Sequence, residues 1–461
     1  MRAIVLGGRL IGVELSDVPY GDPHQQTEHY LLADSMAETL GRDVAIDETA
    51  FNVLLPDLVP SDGRRLKYFG RGLASGFNSP GLAWNLLAAQ WIATPEKSQN
   101  YEVLRGFLNG LQERDFDLVH AILDDAANDA KLKTVLPILQ SAVSLDARGV
   151  ARLMKSLRSG DSPIYFYRNI DLRKTAGVLA PDDVRQLLLE IASKPDGAGI
   201  AVDMLNRRLA LDKHEMRTTA GEILDAGRSM LTAWEFTRSN ANFDFELGEL
   251  AKNCLVGSRG YRIAQVMAKR LKLAVVAHQV PAHIHHQFIT ALVAMQPIAL
   301  LNGLFGNGEV GWEQSCWMLQ SACLDQGNPL DDMPMVKLLS WCAKKPALRY
   351  PIAASVIQPF RRAQQSEPLQ WTELALRLID KAPDRNAVLT QFMGKIMPQQ
   401  RSGSRVEILT SKAKLIDDLM SHPDESVRAF LIKEKARFDK DLKAARDWET
   451  KHARESDQRF E

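Results

Sequence analysis

An excess of charge of either sign, paired cysteines and long apolar runs are all missing from this chain of 461 residues, and each absence removes a class of function. Its 57 basic residues balance 57 acidic ones, so no global field draws in nucleic acid or an anionic membrane. No stretch approaches the roughly 18 apolar residues that a membrane-crossing helix requires. The start, Met1 to Leu15, carries only a short apolar run broken by Gly7 and Gly8, too short for a secretory signal, and a cytoplasmic location is expected. Cys254, Cys316, Cys323 and Cys342 show no C-x-x-C spacing and fall within apolar helical patterns, as reduced packing cysteines do.

Catalytic motifs are equally scarce. There is no G-x-x-x-x-G-K-[ST] phosphate loop, no G-x-S-x-G elbow and no cysteine with a partner motif. Gly7, Gly8 and Gly12 follow a β-like run at Ala3 to Leu6 but lack the G-x-G-x-x-G spacing and the acid about 20 residues further on. His278, His283, His285 and His286 are metal-ligand types, and His283 and His286 can share a helix face. No cysteine or acid pair completes that set, and a solvated helix start after Pro281 accounts for it. The expectation is a protein that is not an enzyme and takes no cofactor or metal.

What the chain does have is a proline at one fixed place in an apolar pattern. Eight, seven and four residues before Pro195, Pro346, Pro383 and Pro423 stand Leu187, Leu188, Ile191; Leu338, Leu339, Cys342; Ala375, Leu376, Ile379; and Leu415, Ile416, Leu419. Pro297 follows suit with Ile289, Thr290 and Val293. These offsets share one helical stripe that the proline ends, so each unit reads as helix, proline turn, helix. From Pro297 the spacings are 49, 37 and 40 residues, near the ~40 to 47 of HEAT or armadillo repeats. Ordinary composition, 45% hydrophobic and 25% charged, fits a packed core throughout. Core positions are expected at Leu187, Ile191, Leu338, Cys342, Leu376, Ile379, Leu415 and Leu419. Upstream, Leu82, Leu86, Leu87 and Trp91 form one further stripe, and Phe116, Val119, His120 and Leu123 another. Asp146 is placed to cap a helix, and Pro181 with Asp182 and Asp183 to open one.

Residues 1–80 differ. Glycine and proline are dense there, a helix from Glu28 to Leu40 stops at Gly41 as at a C-terminal cap, and a shorter one spans Ile46 to Leu55. The expected organisation is an irregular cap over 1–80, HEAT-like repeats over 81–438 and a charged helix or tail over 439–461. The fold class is all-α, a right-handed α-solenoid of HEAT or armadillo-like helix pairs.

His422, Pro423, Asp424, Glu425, Ser426, Val427, Arg428 and Ala429 reproduce the turn and second-helix start of a HEAT motif. With the proline-marked repeats and the charged ending Glu455 to Glu461, this resembles the C-terminal helical-repeat regions of large bacterial NTPase or nuclease-linked proteins. Several of those are implicated in phage defence. The resemblance covers roughly residues 80–461. It implies a core valine, an aspartate and an arginine tying the turn to adjacent repeats, and a sensor or scaffold role beside an effector. No NTPase, nuclease or NAD-hydrolysing module precedes the repeats here, so a stand-alone repeat protein and a shortened longer frame both remain open.

Two functions lead, ahead of a third, a metal-dependent hydrolase using the His283 region. One is a non-enzymatic scaffold that binds a protein partner along its concave surface. The other is nucleic-acid binding by a basic stripe, Arg207 and Arg208, Lys269, Arg270 and Lys272, and Arg361 and Arg362, each near the end of a second repeat helix. Aromatic and basic groups at Lys67 to Gly72 and at Tyr165 to Asn169 read as loops able to stack and to hold charge. Tyr167, Arg168, Arg207 and Arg361 are the candidate partner-binding residues.

Overall fold

A computed structural model describes residues 5–6, 23–63, 65–306, 312–321, 328–362, 368–396 and 404–460. Among the described residues the fold is all-α apart from one two-stranded antiparallel pair, and the chain divides into two compact units, Met1–Met230 and Leu231–Glu461. The expected glycine motif at Gly7 to Gly12, Cys323 and the segment 307–311 lie outside the described residues.

The first unit holds α1 (Pro23–Ile46), α2 (Glu48–Leu58), α3 (Leu66–Gly76), α4 (Pro80–Ala93), α5 (Glu102–Gln112), α6 (Phe116–Ala126), α7 (Leu136–Gln140), α8 (Ala147–Ser159), α9 (Pro181–Ala192) and α10 (Gly197–His214), and α11 (Gly221–Ala233) ends just past the division. Short polar side chains start several of these helices. Asp47, Asp115 and Asp146 each accept a hydrogen bond from a first-turn backbone N–H, at 3.0, 2.9 and 2.8 Å.

Helices α1, α3 and α5 lie side by side. A Cβ on Gly72 would stand 1.9 Å from the carbonyl oxygen of Glu38, and one on Gly106 would stand 1.9 Å from that of Lys67. Gly76 likewise meets Arg42, and Gly110 meets Arg71. Because 72 sits over 38 and 76 over 42, these neighbours run in the same direction. Gly72 and Gly106 are spaced by 34 residues, as are Gly76 and Gly110. Arg71 bridges the row from outside, reaching Glu38 at 3.5 Å and Glu113 at 3.0 Å.

Three helices, Pro23–Ile46, Glu48–Leu58 and Leu66–Gly76, thus occupy much of the described part of residues 1–80, more than the two shorter ones expected there. Gly41 does not end a helix: α1 runs through it, and its missing Cβ makes room for the Phe69 carbonyl, 2.2 Å from where a Cβ would lie. The aromatic and basic group at Lys67 to Gly72 is likewise helix, not loop, with Phe69 fully buried.

The second unit holds α12 (Asp244–Cys254), α13 (Gly257–Val276), α14 (His286–Met295), α15 (Pro297–Phe305), α16 (Trp312–Ser321), α17 (Met335–Ala343), α18 (Pro346–Val356), β1 (Phe360–Arg361), β2 (Gln370–Trp371), α19 (Glu373–Lys381), α20 (Arg385–Ile396), α21 (Arg405–Leu419) and α22 (Glu425–Phe460). Helix α12 packs along α14 and α13 along α15, with Gly303 giving the close approach to Gln265 and Lys269. All five marked prolines stand between consecutive helices, and Pro297 and Pro346 occupy the first helical position. At the C-terminal turn Asp424 accepts from Ser426 N at 2.9 Å and pairs with Arg385 of the preceding helix pair. Val427 is fully buried, and Arg428 donates to the carbonyls of His422 and Pro423 at 2.7 and 2.8 Å. Helix α22 continues unbroken through Phe438.

Most expected core positions are buried, with Leu187, Ile191, Cys342 and Leu415 at 0% exposure. Leu376, at 38%, is a correction: α19 buries Ala375, Leu378 and Ile379, and Leu376 lies off that face. Leu82 and Leu86 also face out, while Ala83, Trp84, Leu87 and Trp91 carry the packing.

Gly72→Ala should lower stability by about 1 to 3 kcal/mol, since backbone rather than a movable side chain meets the added methyl. Gly394→Ala, within α20 and with open space around it, should raise stability by about 0.5 to 1 kcal/mol. Urea unfolding of both variants checks the pair, and equal effects would remove the close-approach explanation.

Candidate partner-binding surface

A short 3-10 helix, Ile164–Asn169, carries the aromatic and basic run that the sequence singles out. Tyr167 points inward: it is 1% exposed, and its hydroxyl donates to Ser156 Oγ at 2.8 Å. Burial pushes its phenol up to about 12, so it stays protonated as a donor. The exposed aromatic of this segment is Tyr165, edge-on against Phe166, which in turn meets Tyr101. Tyr167 is thus the anchor that fixes its neighbours rather than a surface residue.

Arg168 and Arg207 do come together. Arg207 Nη2 donates to the Arg168 carbonyl at 2.9 Å and approaches Asp203 Oδ2 at 3.3 Å, the same oxygen that Arg168 Nε faces at 4.0 Å. Arg173 grips Asp171 through two hydrogen bonds at 2.9 and 3.0 Å. Burial works against the Asp171 carboxylate, but the hydrogen bonds and charge of Arg173, helped by Arg207, hold it below its ordinary 3.8. The patch is therefore mixed in sign and laced with ion pairs, not a free basic surface.

The adjacent Arg208 goes the other way. It is buried, donating to Leu172 O at 2.9 Å, to Thr175 Oγ1 at 2.7 Å and to Asp212 Oδ1 at 3.0 Å. Asp212, 2% exposed, also accepts from Thr219 at 3.1 Å and faces Arg217. This knot ties the segment after the 3-10 helix onto α10. Consecutive arginines have opposite tasks, one at the surface and one inside, because neighbouring helical residues sit about 100° apart.

In the second unit Arg361 lies on strand β1, paired with Gln370, and not at a helix end as expected. Lys272 is 2% exposed, so with Arg208 two of the basic residues counted toward a stripe are interior. Arg270 caps α11 by donating to the Thr232 carbonyl. Among the histidines, His285 is fully buried and edge-on to Phe236, while His283 is exposed. No group of three or more His, Cys, Asp or Glu converges among the described residues.

The surface that sequence reasoning missed is on α4. Leu82 is 67% exposed, Leu86 47% and Ile92 38%, along one side of a helix whose other side is core. The signal was present: α4 is apolar all round, which calls for cover on both faces, and the described residues cover one. No protein-family model, no curated protein and no solved structure matches this chain.

Replacing Asp212 by Ala should cost about 3 to 5 kcal/mol by stranding the Arg208 charge, whereas Arg207→Ala should stay within about 0.5 kcal/mol, both read from urea midpoints. The depressed Asp171 value makes its stabilisation fully present above pH 3.8 and lost as pH falls through the lower folded value. The stability gap between wild type and Asp171→Asn should accordingly close on acidification below that pH; a gap that widens would reverse the assignment.

Proposed function

We propose that this chain is a non-enzymatic helical-repeat scaffold, its helix pairs stacked as HEAT-like units of a right-handed α-solenoid, and that it binds a protein partner. The observation that carries the reading is the uncovered apolar side of α4, Leu82, Leu86 and Ile92. Large apolar side chains exposed together on one side of a helix, as Leu82 and Leu86 are, one turn apart, mark contact surfaces for other polypeptides. The 34-residue recurrence of close-contact glycines in α3 and α5, the proline turns and the Asp424 to Arg385 tie support the stacking.

The glycine-tight row α1, α3 and α5 belongs on the inner side of any curve it makes, since closer spacing bends a stack toward itself. The partner surface proposed is therefore the row containing α4, rather than the concave face. Nucleic-acid binding is the alternative. It loses support because Arg208 and Lys272 are interior and Arg168, Arg173 and Arg207 already face carboxylates.

Tagged wild type and the Leu82→Asp, Leu86→Asp double variant, both at exposed positions, should be passed through native lysate with and without nuclease. One polypeptide held by wild type after nuclease and released by the variant is the expected result. Equal retention by both proteins, or binding that disappears with nuclease, would overturn the protein-partner reading.

A further inference from the structure

The outer side of α4 is ordered as well as apolar. Leu82, Leu86, Ala89 and Ala93, all exposed, follow one another at spacings of four, three and four residues and so share one narrow stripe. Asn85 and Ile92 edge this stripe on one side, and the half-buried Gln90 edges it on the other. No charged residue stands between Arg71 and Glu96, so α4 itself offers no ionic group by which to select a charged partner. Along the stripe the side chains are sorted by size. The two leucines fill its first half and the two alanines its second, which makes a bump followed by a hollow.

A surface of this form complements itself when turned end for end. Rotation by 180° about an axis midway between Leu82 and Ala93 sets Leu82 over the second copy's Ala93 and Leu86 over the second copy's Ala89, so each large side chain meets a small one, twice over. A parallel pairing would instead oppose leucine to leucine and leave the alanines facing each other across a gap, which close packing disfavours. The lack of charge matters for the same reason. A two-fold axis brings a patch against its own copy, and a patch of one charge sign would repel itself there.

We propose that the partner held by α4 is a second copy of this chain, docked antiparallel along the stripe about a two-fold axis. This choice of partner rests on the proposed role of α4 as a contact surface. One helix face about 16 Å long and about 10 Å wide falls well short of the ~800 Å² per partner that a standard stable interface buries. The dimer is therefore weak, with a dissociation constant on the order of 10 to 200 μM.

Sedimentation velocity of the purified full chain from about 5 to about 500 μM tests this. Wild type should pass from monomer to dimer across that range, and the Leu82→Asp, Leu86→Asp double variant should stay monomeric. Ala89→Leu fills the hollow and should weaken the dimer at least about tenfold, although it makes the stripe more apolar. Combining it with Leu86→Ala exchanges bump and hollow in both copies and should return the dissociation constant to within about threefold of wild type. All three substituted positions are exposed, so the core is untouched. A wild type still monomeric at about 500 μM, a dimer indifferent to the aspartates, an Ala89→Leu variant that dimerises as tightly as wild type, or an exchange that restores nothing would overturn the proposal. A monomeric wild type that still retains another polypeptide from lysate removes the second copy alone and leaves α4 as a contact surface; loss of that capture as well removes both.

Discussion

Backbone meets backbone at Gly72 and Gly106, and the architecture of the first unit depends on that contact. Helix α3 contains Gly70, Gly72 and Gly76 within eleven residues, each costing roughly 0.5 to 1 kcal/mol relative to alanine in a helix interior. Such a segment is far too short and too glycine-rich to be helical alone. It becomes a helix because it is clamped between α1 and α5, where the absent side chains let carbonyl groups approach and bring the neighbouring apolar residues into contact on either side. Phe69, Leu73, Phe107 and Leu108 are all fully buried as a result. Secondary structure here is a product of stacking, and the 34-residue recurrence is the trace of that dependence in the sequence.

The same stacking leaves carbonyls at helix ends and in connecting segments needing donors, and basic side chains further along the chain supply them. Arg114 donates to the Ala74 and Phe77 carbonyls at 3.0 and 2.7 Å, Arg208 to that of Leu172, Arg270 to that of Thr232, and Lys395 to that of Ile357. The partners lie 36 to 40 residues apart in these cases. Arg349 is the extreme form: it donates to the Trp341 carbonyl, lies 4.5 Å over that residue's ring and shares Asn302 Oδ1 with its indole N–H. Burial lowers its basicity, as expected where a ring face and carbonyl dipoles replace water. Cations placed near helix ends suit the dipole, and because their acceptors lie 36 to 40 residues earlier in the chain they also tie one helix pair to another.

This explains which parts of the molecule could be read from the residues. Proline turns were legible because a missing N–H and a fixed φ mean the same thing in any context, and Asp146 and Pro181 were legible as helix starts for similar reasons. Glycine carries two opposite meanings, breaker and contact point, and only the neighbouring helix decides between them, which is why Gly41 and the segment at Lys67 to Gly72 read as breaks in the sequence and are helix in the structure. Periodicity failed on α4, where apolar residues occupy every side and no stripe is distinguished, so Leu82 and Leu86 were assigned inward. Tyr165 and Tyr167 are alike in type and two positions apart, and a short 3-10 helix, whose phase is not visible in composition, chooses which one is buried. A run of basic residues gives charge but not direction, so Arg207 and Arg208 looked equivalent.

Charge that serves internal ties is no longer available to a ligand. The chain is neutral overall, and among the described residues many of its cations face carboxylates or helix-end carbonyls, as Arg71, Arg152, Arg173 and Arg385 do. Long-range attraction for polyanions is therefore weak by construction, because close ion pairs cancel one another's fields beyond a Debye length. What remains uncovered among the described residues is apolar, as on the outer side of α4 in the first unit. Recognition built on such surfaces is short-ranged and shape-dependent, with binding set by the area removed from water and tuned by a few unpaired donors. Charges spent on holding helices together leave little long-range field, since each close pair of opposite charges cancels at a distance.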